Sequence, residues 1–230
     1  IERIVDTNPK PERRAIKSLF TPISSRIVRA LLDKPSHTWQ LTELANTTGA
    51  SVGQVYNVSK KLTSEGFAHK TGRGSLTLTE PTNLLEAWRD QYQPSANQVH
   101  RFQLVAQSLA DSLRQIYSAP GIDTKQILGT AHTGFQLLAN EATTTPADDI
   151  RLYATHHQIK TLVEVLSLQP SNYSGNLHLI VPYDEGVFYQ PTQTSVWPVV
   201  NDIQLYLDLY HDSLVESHLT ETFRRQHLQF

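Results

Sequence analysis

The fold of the first part of the chain is decided by residues 51–79, SVGQVYNVSKKLTSEGFAHKTGRGSLTLT. Ser51 and Gln54 have the spacing of a capping box, in which two side chains satisfy backbone N–H groups at the start of a helix. The sequence therefore predicts a helix over residues 51–65, which Gly66 ends. At about 100° per residue, one face of this helix is mostly apolar and holds Val52, Val55, Ser59 and Leu62.

The opposite face of this helix combines amides with cations and holds Gly53, Gln54, Asn57, Lys60 and Lys61. Amide side chains can pair with an adenine edge in the major groove of DNA, and lysine can contact guanine or phosphate. Gly53 would let the backbone approach closely, and Tyr56 lies on the flank, where it can reach phosphate or sugar. An ordinary solvated amphipathic helix has the same outward polarity, so this face alone does not decide the function.

The residues after the helix predict a β-hairpin. Residues 67–71 and 75–79 alternate as strands on either side of Gly72-Arg73-Gly74, which places Arg73 at the tip of the turn. Two shorter helices precede residue 51, one with apolar positions Ile27, Leu31 and Leu32 and one with Leu41, Leu44 and Ala45, ended by Gly49. This element order, and the stretches Trp39-Gln40-Leu41-Thr42-Glu43-Leu44-Ala45 and Gly49-Ala50-Ser51-Val52, resemble bacterial winged helix-turn-helix transcription regulators.

The resemblance to winged-helix regulators implies that residues 51–61 form the recognition helix in the major groove. Arg73 would then reach an adjacent backbone or minor groove from the wing. Residues 51–79 carry four Lys and Arg against one Glu, a net charge of +3 that suits docking on DNA. A winged helix that binds protein instead of DNA is the alternative.

Charge and composition divide the chain into two parts. Residues 1–92 contain 13 Lys and Arg against 9 Asp and Glu, whereas residues 93–230 contain 7 against 13. A basic half can meet a polyanion that an acidic half would repel. With the polar, proline-containing Gln93-Pro94-Ser95 as the boundary, we expect a basic arm over residues 1–20 with Arg13, Arg14 and Lys17, a DNA-binding domain over 21–92, and a second domain over 93–230.

The second part alternates between strand-like and helix-like periods. Strands are predicted around residues 100–105, 126–130, 149–154, 177–181 and 187–189, and helices around 109–116, 135–138, 159–166, 202–210 and 216–227. This alternation predicts an α/β domain within an α+β protein. The chain has no Cys, which excludes disulfides and thiolate chemistry and fits a reducing cytoplasm.

The strongest enzyme pattern in the second part is similar to that of nucleotidyltransferases. Leu128-Gly129-Thr130 is followed by Asp149-Ile150-Arg151-Leu152, where such enzymes alternate two carboxylates on one strand face to hold a divalent metal. Arg151 occupies the second carboxylate position and would repel the metal. His156, His157, His211 and His218 lack the HExxH spacing, and no Gly-x-Ser-x-Gly elbow is present. We therefore predict no catalytic residue, metal or cofactor, with a divergent nucleotidyltransferase that uses Asp149 as the alternative.

Several patches resemble the C-terminal domain of AbiE-type antitoxins of bacterial type IV toxin–antitoxin systems. They are Gly175-Asn176-Leu177-His178-Leu179, Gly186-Val187-Phe188-Tyr189, Gln204-Leu205-Tyr206-Leu207-Asp208-Leu209 and the Thr133-Gly134 segment. The resemblance implies a winged helix that represses its own operon. It also implies a non-catalytic, nucleotidyltransferase-like second domain that counteracts a nucleotidyltransferase toxin indirectly. After Leu209 the chain reads Tyr210-His211-Asp212 and departs from the family's glycine and Glu-Ala pair.

Together these patterns predict a cytoplasmic transcriptional regulator that occludes promoter DNA. No apolar run is long enough to cross a bilayer, and nothing resembles a signal peptide. Palindromic operators commonly recruit two winged domains, which is compatible with a homodimer on double-stranded DNA. The predicted DNA contacts are Ser51, Gly53, Gln54, Tyr56, Asn57, Lys60, Lys61 and Arg73.

Overall fold

The computed structural model describes residues 18–72, 74–142, 144–171, 175–228 and 230. The predicted arm with Arg13, Arg14 and Lys17 and the predicted contact of Arg73 lie outside the described residues. The described residues form a mixed α+β protein with two sheets. They fall into two compact units that divide between Tyr92 and Gln93.

The first unit contains four α-helices and a small antiparallel sheet within its described ranges. A 3₁₀ turn at Ser18–Phe20 precedes α1 (Ser24–Asp33), β1 (Trp39–Gln40), α2 (Leu41–Thr48), α3 (Val52–Ser64), β2 (Ala68–Thr71), β3 (Ser75–Leu78) and α4 (Pro81–Gln91). The sheet order is β1-β3-β2, and β2 and β3 form the predicted hairpin with Ala68 opposite Leu78. Gly49 ends α2 with a φ of 66°. Glycine adopts this left-handed conformation without strain.

The rotation of α3 is set by the side chains that it buries. Val55, Val58 and Leu62 are each at most 5% exposed, and the Ser59 hydroxyl is buried while donating to the Tyr56 carbonyl oxygen at 2.8 Å. The prediction that Val52 lies on the buried face is wrong, because Val52 is 49% exposed. It stands in the first turn of α3, before the buried stripe begins at Val55 and continues through Val58.

The second unit places helices around a five-stranded sheet. Its elements are β4 (Gln98–Gln103), α5 (Leu109–Ser118), β5 (Ile127–Gly129), α6 (Ala131–Leu138), β6 (Ile150–Ala154), α7 (His156–Val165), β7 (Gln169–Pro170), β8 (Leu177–Val181), α8 (Asp202–Tyr210) and α9 (Ser217–His227). The sheet order is β5-β6-β8-β4-β7; β6 and β8 are parallel and the other neighbours are antiparallel.

The strand predicted at residues 187–189 is not formed. Glu185–Phe188 is a 3₁₀ helix, because the Asp184 carboxylate accepts a hydrogen bond from the Gly186 N–H at 3.0 Å and turns the chain there. The remaining predicted helices and strands of the second part are confirmed within a few residues of their expected ends.

Two glycine-containing motifs bring elements of the second unit into close contact. A Cβ added to Gly134 of α6 would lie 2.9 Å from Leu205 Cδ1 of α8. A Cβ added to Gly175 would lie 2.7 Å from the carbonyl oxygen of Phe102 in β4. Next to Gly175, the Asn176 amide holds the end of β4 by accepting from the Leu104 N–H and donating to the Leu104 carbonyl oxygen, both at 2.8 Å.

Replacement of Gly175 by Ala should destabilise the second unit. The added methyl group meets the backbone of β4, which cannot rotate away. Overpacking of this kind costs about 1–3 kcal/mol. Chemical unfolding followed by circular dichroism measures the change.

The matched control is Gly53→Ala, because its Cβ would find no atom closer than 4.0 Å. This change within a helix should raise stability by about 1 kcal/mol. Equal stability of Gly175→Ala and wild type would contradict the structural role of the Gly-Asn motif.

Candidate nucleic-acid interface

The outward face of α3 presents nearly all of the predicted contact residues to solvent. Six of them are exposed, and Lys61 is half-buried. The exposed residues are Ser51, Gly53, Gln54, Tyr56, Asn57 and Lys60. The structure therefore places seven of the eight predicted contacts on α3 or at its N-cap, and the eighth, Arg73, is outside the described residues.

The start of α3 is the predicted capping box. The Ser51 hydroxyl oxygen accepts from the Gln54 N–H at 3.2 Å, and the Gln54 side-chain oxygen Oε1 accepts from the Ser51 N–H at 2.8 Å. Bidentate pairing with adenine needs both the oxygen and the nitrogen of an amide. Oε1 of Gln54 accepts from Ser51 and keeps a second lone pair, whereas the exposed Asn57 amide takes no part in the cap.

Tyr56 connects α3 to the hairpin. The ammonium nitrogen of Lys70, in β2, lies 4.6 Å from the centroid of the Tyr56 ring. This distance is within the range of a cation–π interaction. The ring is half exposed, and Lys70 is exposed beside His69 and Thr71. Sequence patterns predicted only a charge for Lys70 and no partner, because its contact with Tyr56 depends on how the hairpin returns against the helix.

The polar face of α3 continues into a recess of about 180 Å³ beside the start of α1. Gln54, Asn57 and Lys61 line one side of it, and Pro22, Ile23 and Ser24 line the other. Ile23 has a φ of 72°. This conformation is strained for a β-branched residue. The sequence patterns did not predict that the residues around the start of α1 lie next to this face of α3.

The second unit contains a network of charged side chains, which we call the charged cluster: His132, Asp149, Arg151, His178 and Asp212. Arg151 binds Asp149 through Nε and Nη2 at 3.2 and 3.1 Å, and it binds Asp212 through Nη1 at 2.9 Å. His132 Nδ1 lies 2.9 Å from the Asp212 carboxylate. Its Nε2 lies 2.7 Å from the carbonyl oxygen of Asp149. Both ring nitrogens of His132 thus lie within hydrogen-bonding distance of an oxygen.

Opposing effects set the ionisation of the charged cluster. The Asp212 side chain is fully buried, which raises its pKa. Hydrogen bonds from His132 and from the Leu214 N–H, with the charge of Arg151, outweigh burial and lower the pKa to about 2. Burial lowers the pKa of His178 more than the nearby Asp149 raises it. Burial also lowers the pKa of Arg151, but its bonds to Asp149 and Asp212 outweigh this and raise it.

Asp149 of the charged cluster is the residue at which the alternative enzyme would hold a metal, and it is paired with Arg151. Both carboxylate oxygens of Asp149 contact the Arg151 guanidinium, so a cation of the protein occupies the position where a divalent metal would bind. Across the described ranges, no group of three or more His, Asp or Glu residues is arranged to hold a metal ion. The residues present therefore do not fit the metal site of a nucleotidyltransferase.

A pocket of about 240 Å³ lies beside the charged cluster, lined in part by Thr130, Tyr153 and Asp208. The Asp208 carboxylate accepts from the Thr130 hydroxyl at 2.5 Å and from the Tyr153 hydroxyl at 3.1 Å. It also accepts from the Gln204 amide at 2.9 Å. These donors are used inside the protein, so the hydrogen bonds tie the β5–α6 turn and β6 to α8. None of these partnerships was predicted from the sequence.

A scan of protein-family models, a search of curated proteins and a search of solved structures each find no match to this chain. The resemblance to AbiE-type antitoxins therefore rests on the residues quoted for it. Within the described ranges, no helix combines the length and the apolar character that crossing a membrane requires.

Replacement of Asp212 by Asn should lower the free energy of unfolding by about 2 kcal/mol at pH 7. The folded carboxyl has a pKa of about 2, below its ordinary 3.8. Its contribution is therefore present above about pH 4 and is lost as the pH falls towards 2. Urea unfolding of wild type and variant between pH 7 and pH 3 should show this difference shrinking.

The control for Asp212→Asn is Asp90→Asn. The Asp90 carboxylate pairs with Arg89 while its side chain is 62% exposed. Exposed pairs of this kind contribute below about 1 kcal/mol. A difference between Asp212→Asn and wild type that grows as the pH falls would contradict the ionised state of Asp212.

Proposed function

We propose that the chain is a DNA-binding transcriptional regulator whose first unit is a winged helix-turn-helix domain. In this proposal α2 and α3 form the helix-turn-helix and the β2–β3 hairpin forms the wing. The observation that carries the proposal is the outward face of α3, where amides and cations are exposed while Val55, Val58 and Leu62 hold the opposite face in the core. A helix of this kind can enter the major groove with its polar face towards the bases.

The distribution of charge also supports DNA binding by the outward face of α3. Lys60 and Lys70 are exposed on α3 and β2, and the first 92 residues carry a net charge of +4 against −6 for the rest. Phosphate contacts by lysine supply affinity that falls with salt, and base contacts by amides supply sequence preference. We assign phosphate contacts to Lys60, Lys61 and Lys70, and base contacts to Asn57 and Gln54. Ser51, Gly53 and Tyr56 would shape the approach, with Arg73 as the contact of the wing.

The regulator would act by covering promoter DNA, and it needs no cofactor for this. A homodimer on a palindromic operator would place two α3 helices in successive major grooves. We propose a non-catalytic role for the second unit, with nucleotidyltransferase-like character as its finer description. This is supported by Asp149, the one carboxylate of the enzyme-like pattern, which is bound by Arg151 and is therefore not free to hold a metal.

The resemblance to AbiE-type antitoxins extends the proposal to an autorepressor that counteracts a nucleotidyltransferase toxin without binding it stably. Support comes from the Gly175-Asn176 and Thr133-Gly134 motifs, which carry part of the resemblance. Both glycines pack closely against neighbouring elements, and Thr133 and Asn176 form hydrogen bonds to the backbone. Co-expression with a nucleotidyltransferase toxin encoded next to this chain should restore bacterial growth. If growth arrest persists although the protein is soluble and folded, the chain lacks antitoxin activity and only the regulator proposal remains.

Substitutions on α3 test DNA binding. Asn57→Ala should cost about 1–3 kcal/mol against the preferred base at one position and little against other bases there. Lys60→Ala should weaken binding to every duplex alike and reduce the slope of log affinity against log salt by about 0.9. Fluorescence anisotropy on selected and random duplexes at several salt concentrations measures both effects.

The control for these substitutions is Lys160→Ala, which removes an exposed lysine of α7 in the second unit. It should leave affinity and salt slope unchanged. If all three variants bind duplex DNA as wild type does, α3 is not the recognition helix.

A further inference from the structure

We propose that the second unit binds a small apolar monocarboxylate in the pocket beside the charged cluster, and that Arg101 holds the carboxylate. The pocket has a volume of about 240 Å³, and residues of the second unit alone line it. It shares no residue with the proposed DNA-binding surface of the first unit. Binding of the acid and binding of DNA can therefore fail separately.

The sheet of the second unit forms one wall of the pocket through two rows of side chains. Each row is paired across the neighbouring strands β6, β8 and β4, and paired residues project from the same face of a sheet. The basic row contains Arg151, His178 and Arg101. Two positions away along each strand, the apolar row contains Tyr153, Ile180 and Val99. All six residues line the pocket.

The two arginines of the basic row differ in their partners. Arg151 pairs with Asp149 and Asp212, so the protein neutralises its charge. Arg101 is exposed, and no hydrogen bond or ion pair of its side chain is found in the described part of the chain. A guanidinium binds a carboxylate through two parallel N–H bonds. Arg101 is therefore available to bind an anion that enters the pocket.

The charge that the pocket accepts is limited by its own carboxylates. Asp208 and Asp212 are buried and line the same pocket. The pKa of Asp212 is about 2, so this carboxylate is ionised at neutral pH. Its repulsion grows with each negative charge on a ligand. A carboxylate, with one charge, therefore fits better than a phosphate monoester, which carries about 1.5 to 2.

The apolar row and the volume define the rest of the ligand. Tyr153 is buried, Ile180 is half-buried, and Val99 is 43% exposed. Two positions along a strand span about 6.6 Å, which sets the distance between the carboxylate and the apolar group. Pockets for larger ligands measure about 300–1,000 Å³. The smaller volume here leaves room for one ring or a short aliphatic chain.

The probe that tests this site is 3-phenylpropanoate, which joins one carboxylate to one ring through two carbons. Added to the ¹⁵N-labelled full chain, it should shift backbone amides of residues 99–101, 151–153 and 178–180, with a Kd of about 1 mM or tighter. Three matched probes should bind at least about fivefold more weakly. Propanoate lacks the ring, 3-phenylpropan-1-ol lacks the charge, and benzyl phosphate carries the second charge at the same chain length.

Arg101→Gln tests the contact with the carboxylate. After circular dichroism shows that the variant is folded, it should bind 3-phenylpropanoate about tenfold more weakly than wild type does. It should also bind the acid and the alcohol alike, which a merely structural role of Arg101 would not produce. The control is Arg225→Gln, which makes the same change at an exposed arginine of α9 outside the pocket. This control should bind the acid as wild type does.

The proposed site is overturned if Arg101→Gln binds the acid as tightly as wild type, or if wild type binds the alcohol as tightly as the acid. Tighter binding of benzyl phosphate would overturn the assignment to a monocarboxylate. Amide shifts outside the two rows, or no shift at about 10 mM acid, ten times the expected Kd, would also contradict it. DNA binding by the first unit stands in each of these cases.

Discussion

The burial of Val55, Val58 and Leu62 fixes the rotation of α3, and the surface that we propose to bind DNA depends on it. Each fully buried aliphatic side chain contributes about 1.5–3 kcal/mol relative to exposure, so turning the helix to hide its amides would lose several such contributions and bury groups without partners. The capping box at Ser51 and Gln54 fixes where α3 begins, directly after the turn at Gly49. Apolar packing thus holds one side of α3, and the capping box fixes its first turn.

The second unit uses its polar side chains differently. Its most buried charges face one another: Asp212 binds His132 and Arg151, and Arg151 also binds Asp149. Removing one partner from such a set leaves an uncompensated charge, so a substitution within it should be strongly destabilising. Asp212 lies in the stretch where the sequence departs from the AbiE-type pattern, and its place in the cluster gives that departure a structural role.

Local patterns in the sequence predicted much of the secondary structure, because caps, glycines and apolar periods act over a few residues. The box at Ser51 and Gln54 and the hairpin around residues 72–74 are of this kind. The charged cluster could not be predicted, since His132 and Asp212 are 80 residues apart and meet only through the tertiary fold. The contact of Tyr56 with Lys70 was missed for the same reason, and the contacts of Arg73 and of the N-terminal arm stay predictions.

The central claim is that the exposed face of α3, together with β2, is the surface that binds duplex DNA. Its most direct measurement is a titration of ¹⁵N-labelled protein with duplex DNA, followed by the backbone amide resonances. We predict that the largest shifts fall on residues 53–61 and 69–71, with little change beyond Gln93. Shifts confined to the second unit, or none at saturating DNA, would contradict it.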